Sequence, residues 1–183
     1  MPGQIKIDDG AGNYTILTNG GSLGSDKTIT LPNTTGTVAL TSDSFGKVLQ
    51  VVNAVISTRE TTTATTQQNS ALTATITPSS TSNKVLCLVS YQVGASADIW
   101  MFVNLDRGGT TIGGSVRHNP FASSINRLEA GSINYLDSPS STSALTYTVQ
   151  YGSTQAGTKI FNGRNSGSSD SYATLTLMEI AGW

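Results

Sequence analysis

In three stretches of this chain, apolar side chains recur at every second residue and also fill positions between. In residues 98–105, Ile99, Met101, Val103 and Leu105 fall on one face of an extended strand, and Trp100 and Phe102 on the other. In residues 84–93, Val85, Cys87, Val89, Tyr91 and Val93 oppose Leu86 and Leu88. In residues 48–56, Val48, Val52, Ala54 and Ile56 oppose Leu49, Val51 and Val55. A lone sandwich buries one face of each sheet and leaves the other polar. Residues 71–77 follow that rule, with Leu72, Ala74 and Ile76 opposite Thr73, Thr75 and Thr77. The three two-faced strands need a second covering layer.

The rest of the chain cannot supply that layer from a helix. The nearest helical candidate begins at Ser42 or Asp43, but its content from Val48 to Ile56 is β-branched and reads as a strand. The polarity is mostly uncharged: 27 Thr, 24 Ser and 19 Gly, with only 11% of residues charged. Thr favours strands, and Ser and Gly favour turns. The expectation is an all-β chain, with a β-sandwich of jelly-roll type over residues 46–183 and a short β-rich arm over residues 1–45.

In the sandwich the strands are expected near 47–56, 71–77, 84–93, 98–106, 110–117, 125–136, 144–151 and 173–181, with a short piece at 158–161. The intervening segments hold turn residues, as in Arg107-Gly108-Gly109 and Asp137-Ser138-Pro139. In the arm, strands are expected at 14–18, 27–31 and 37–41. Its apolar residues are too few for a core of its own, so it must lean on something else.

Exposing Trp100, Phe102 and their neighbours would leave a patch of several hundred Å² wet. At about 25 cal/mol per Å², covering about 400 Å² is worth about 10 kcal/mol before the cost of association. Sheet-on-sheet oligomerisation is therefore expected, with Leu49, Val51, Val55, Leu86, Leu88, Trp100 and Phe102 as candidate interface residues. The alternative is that the arm or a long loop covers the same face.

Few residues invite chemistry. One His and one Cys leave a zinc site, a Ser–His–Asp triad or a disulfide framework without the parts they need within one chain. Cys87 lies in an apolar run and reads as a small buried hydrophobe. His118, beside Asn119 and Pro120, reads as a loop residue; the alternative is three copies meeting a metal on a trimer axis. Asp8-Asp9-Gly10 is a fragment of a calcium loop without its remaining ligands. The pairs Gly108-Gly109 and Gly113-Gly114 lack the Lys and following helix of a phosphate loop and read as hairpin turns. Tyr135, Tyr147 and Tyr151 read as core or interface residues rather than sugar platforms. Glu179 shares a strand face with Leu175 and Leu177; if buried it would need a cation such as Arg127 or Lys84. No enzyme, cofactor or metal is expected. A net charge of -1 leaves no basic footprint for nucleic acid. No apolar run is long enough for a transmembrane helix, and the first residues lack the apolar segment of a secretory leader. Assembly in a reducing cytoplasm, without membrane association, is expected.

The run Thr28-Ile29-Thr30-Leu31-Pro32-Asn33-Thr34-Thr35-Gly36-Thr37-Val38-Ala39-Leu40 resembles segments of tailed-phage fibre and virion surface proteins. The resemblance continues at Gly46-Lys47-Val48-Leu49-Gln50-Val51-Val52, from Leu72 to Leu86, at Tyr135-Leu136-Asp137-Ser138-Pro139 and from Leu175 to Gly182. It implies a trimeric, jelly-roll-like sandwich on the outside of a phage particle. Such modules form tips of tail fibres or tailspikes, and others serve as capsid cement or decoration proteins. A fibre also needs a long shaft. Forty-five extended residues reach at most about 150 Å, and less once folded into hairpins. The favoured expectation is thus a cement protein on the outer capsid surface of the virion. Its arm, through Ile5, Ile7, Tyr14, Ile16 and Leu17, would dock onto the major capsid protein, with strand addition a suitable mode. The alternative is a receptor-binding tip recognising the host cell surface, such as a surface glycan, through loops at 107–120 and 162–172.

Overall fold

The computed structural model describes residues 5–8, 14–17, 47–119, 127–165 and 171–182. The chain divides into two units, residues 1–40 and 41–183. In the first, β1 (Ile5–Asp8) pairs antiparallel with β2 (Tyr14–Leu17), with Ile5 opposite Leu17 and Asp8 opposite Tyr14. The arm strands expected at 27–31 and 37–41 lie outside the described residues.

The second unit is all-β and has two antiparallel sheets. Its strands are β3 (Val48–Ile56), β4 (Glu60–Thr62), β5 (Gln68–Ile76), β6 (Lys84–Ala95), β7 (Met101–Arg107), β8 (Thr110–His118), β9 (Glu129–Asp137), β10 (Leu145–Gly152), β11 (Lys159–Phe161) and β12 (Ala173–Ile180). In one sheet, β6 lies between β9 and β12, and β3 flanks β12 on its far side. The short strands β11 and β4 extend that sheet beyond the Ser90 end of the β12 pairing. The second sheet runs β5-β10-β7-β8.

The long strands pair in a nested pattern: β3 with β12, β5 with β10, β6 with β9, and β7 with β8. The eight long strands thus form a hairpin of hairpins, folded so that alternate pairs enter opposite sheets.

The core follows from the two-residue period. Leu72 and Ile76 from β5, Val85, Cys87, Val89, Tyr91 and Val93 from β6, and Met101, Val103 and Leu105 from β7 are buried. Tyr147, Val149 and Tyr151 from β10 and Leu175 and Leu177 from β12 close it. Phe161 stacks between Tyr91 and Tyr151, at ring-centroid distances of 6.0 and 5.2 Å. The Tyr147 and Tyr151 side chains therefore serve the interior, and Cys87 is buried among the same apolar side chains.

Local features meet the sequence reading in part. Gly108 and Gly109, at φ 58° and 91°, form the two-residue β7–β8 turn that their positive φ suits. Gly113 and Gly114 form no hairpin: they lie inside β8, where the register with β7 slips on both sides of the Asn104 and Leu105 pairs. Gly114 has φ 98°, and a Cβ there would stand 2.8 Å from the Val103 carbonyl oxygen. β4 was not anticipated, because Glu-Thr-Thr carries no apolar period. His118 is the last residue of β8 and buried, not a loop residue. Its Nε2 lies 2.9 Å from the Tyr91 hydroxyl. Its Nδ1 stands 3.1 Å from a Glu129 oxygen without forming a hydrogen bond to it.

Candidate interaction surface

The outer faces of the two sheets differ in chemistry, and strand register shows how. Antiparallel partners project their side chains to the same side of a sheet. On the β3-β12-β6-β9 sheet, one outward row runs Val51, Met178, Leu86, Leu136 across all four strands. At about 4.8 Å between strands, that row is about 15 Å wide. The next row is Asn53, Thr176, Leu88, Asn134, and the one after is Val55, Thr174, Ser90, Ser132. On the other flank, Ile180 pairs with Val48 and with Lys84, and a register slip leaves Leu49 as the extra residue. Val48, Leu49, Val51, Val55 and Leu136 are exposed, each by about half. Leu86, Leu88, Met178 and Ile180 are partly exposed between them. Lys84 contributes the one charge among the outward residues of these rows, and its Nζ donates to Ser138 Oγ at 2.9 Å.

The outer face of the β5-β10-β7-β8 sheet is hydroxyl-rich. Thr73 lies beside Thr148 and Thr75 beside Thr146, with Oγ1 separations of 3.2 and 2.9 Å. Gln150 donates to Asn69 along the same face. Trp100, just before β7, is 51% exposed, and its backbone N–H donates to Gln155. Phe102 lies across from Arg117 on β8, whose guanidinium carbon is 5.5 Å from the ring centroid.

The candidate interface residues therefore separate. Leu49, Val51, Val55, Leu86 and Leu88 lie together on one outer face, and Trp100 and Phe102 belong to the other sheet. Met178, Ile180 and Leu136 complete the apolar face and were missed. Met178 and Ile180 alternate with Leu175 and Leu177 in the sequence, so the two-residue period already marked them. The arm residues Ile5 and Ile7 lie on β1, and Tyr14, Ile16 and Leu17 on β2.

Two buried polar clusters brace the sandwich. Glu179, on the inward side of β12, is 1% exposed. Among the described residues it has no ion-pair partner. Its oxygens accept hydrogen bonds from Gln50 Nε2 at 2.6 Å, the Ser79 backbone N–H at 2.6 Å, Ser79 Oγ at 2.8 Å and Asn83 Nδ2. Burial alone would raise its pKa. The donors from Gln50, Asn83 and Ser79 outweigh that and bring it down to about 2. Neutral dipoles, supplied by β3 and by the turn before β6, thus do the work expected of Arg127 or Lys84. In the same inward row, across Val85 on β9, Asp137 accepts from Arg107, from the Tyr147 hydroxyl at 2.7 Å and from the Ser138 N–H at 2.8 Å. This ties β9 of one sheet to β7 and β10 of the other. Burial first, then the carboxylate, push the Tyr147 hydroxyl well above the usual tyrosine range. Lys159 is fully buried, with Nζ donating to the carbonyls of Gln155 and Thr63, and burial lowers its pKa.

Among the described residues, no three His, Cys, Asp or Glu side chains gather to hold a metal, and no helix is long and apolar enough to cross a membrane. No protein-family profile and no curated protein sequence matches the chain.

Proposed function

We propose that this chain is a structural protein of a tailed-phage particle, a capsid cement or decoration protein that works as a homotrimer on the outer surface of the head. The observation that carries the reading is the apolar outer face of the β3-β12-β6-β9 sheet, which a solitary sandwich would leave wet. A chain with such a face is built to be assembled. The nested strand pairing supports a jelly-roll topology for the sandwich, since eight strands paired first with last and so inward form that fold's two Greek keys. The resemblance of the 28–40 run and of residues 72–86 to virion surface proteins supplies the phage setting.

In this reading the arm docks onto the major capsid protein. The trimer bridges neighbouring capsid subunits and opposes the outward pressure of packaged DNA through added interface area, without catalysis. The test mixes purified protein with expanded capsids and with host cells. Binding to capsids and not to cells supports cement, and deletion of residues 1–45 should then abolish attachment. Binding to cells alone would replace this reading with a receptor-binding tip. One observation favours that second reading: the exposed Trp100 and the Phe102–Arg117 pair offer aromatic and guanidinium surface, the chemistry that recognises a host glycan.

A further inference from the structure

We infer that copies of this chain meet through the outer face of the β3-β12-β6-β9 sheet and the free edge of β3, and not through Trp100 and Phe102. This rests on the proposal that the protein assembles, and it names the surface that does so.

Three observations carry it. The first is area. With five side chains about half exposed and four more partly so, the face presents about 600 Å² of apolar surface. That is at the upper end of what a typical monomer leaves in one patch, and about three quarters of the 800 Å² or so per partner in a standard interface. The side chains of Asn53, Thr176, Asn134, Thr174, Ser90 and Ser132, in rows that also carry Leu88 and Val55, would supply the rim.

The second is continuity. Val51, Met178, Leu86 and Leu136 are in register, so the apolar band crosses the whole sheet without interruption. On the opposite sheet, the outward side chains toward the Asp106 end are the hydroxyl pairs Thr73–Thr148 and Thr75–Thr146, and Phe102 is already engaged by Arg117. The isolated aromatics offer a partner copy no comparable band.

The third is the edge. β3 is nine residues long and terminal in its sheet among the described residues. Its sequence, Val-Leu-Gln-Val-Val-Asn-Ala-Val-Ile, holds no charge and no proline. Charge and proline are two of the devices that keep an edge from pairing with another chain; a third, a bulge, is present in β3 at Leu49. An uncharged edge beside an apolar face suits a second copy better than open water.

The experiment uses the full chain. Sedimentation should give wild type the mass of an oligomer at micromolar concentration. Val51→Asp and Met178→Asp should each reduce it to one copy while the far-ultraviolet circular dichroism is unchanged. Thr73→Asp and Thr75→Asp, on the opposite face, should keep the wild-type mass. If the Val51 and Met178 variants stay oligomeric and only Trp100→Asp or Phe102→Asp dissociates, the surface assignment is overturned while the assembly reading stands. A wild type of one copy overturns both. Asn134→Cys gives a second readout that needs no dissociating variant, because Cys87 is buried and adds no background. Its rate of maleimide labelling should fall at least tenfold between nanomolar and micromolar protein; a rate independent of concentration overturns the inference.

Discussion

Replacing Glu179 by Gln removes one negative charge from the interior while preserving shape. The carboxylate is held at about 2 instead of 4.5, a shift of about 2.5 units. At about 1.36 kcal/mol per unit, that corresponds to about 3 kcal/mol of stability from ionisation alone. The sign follows from the direction. A depressed carboxyl contributes its stability in full above the unfolded value, near pH 4.5, and loses it as pH falls through the folded value near 2. Glu179→Gln should therefore cost about 3 kcal/mol at pH 7, and the gap to wild type should close progressively below pH 4.5. The new amide also turns an N–H toward donors from Gln50, Asn83 or Ser79, so the cost at neutral pH is a lower bound. Urea unfolding at fixed protein concentration, repeated from pH 7 to pH 3, measures both quantities. A variant within about 0.5 kcal/mol of wild type at pH 7, or a gap that does not narrow with acid, would refute the reasoning.

Other substitutions test separate parts of the fold. Gly114→Ala forces a Cβ against the Val103 carbonyl at positive φ and should lower stability by about 2 kcal/mol in thermal or urea unfolding; a neutral variant would contradict the bulge. Cys87, whose thiol burial pushes up to about 12, should resist a thiol reagent at pH 8 in the folded protein and react at once in urea. Asp137→Asn should cost about 2 kcal/mol, because Arg107 and the Tyr147 hydroxyl lose their shared anionic acceptor, and the Tyr147→Phe change added to it should cost little more.

Much of the sandwich was legible because a strand's faces are written in a two-residue period. The inward sets of β5, β6, β7 and β12 could be read directly, as could the Gly108-Gly109 turn. What the period does not carry is which sheet a strand joins. That depends on pairings such as β3 with β12, more than 100 residues apart in the chain. For that reason Trp100 and Phe102 could be read as outward but not as lying apart from Leu49 and Val51. The partners of Glu179 were hidden in the same way: Gln50 is 129 residues away, and Ser79 and Asn83 reach it through a turn whose folded shape no local pattern specifies. His118 misled because the following Asn-Pro suggests a loop, whereas the strand runs up to it and Tyr91 supplies its partner from across the sandwich.

The proposal that the working unit contains more than one chain rests on apolar side chains on both sides of the same sheet, and its mass in solution tests it most directly. Sedimentation equilibrium of the full chain at micromolar concentration should give a trimer of about 57 kDa, three times the 19.0 kDa of one copy. A homogeneous species of 19.0 kDa across that concentration range would contradict the account.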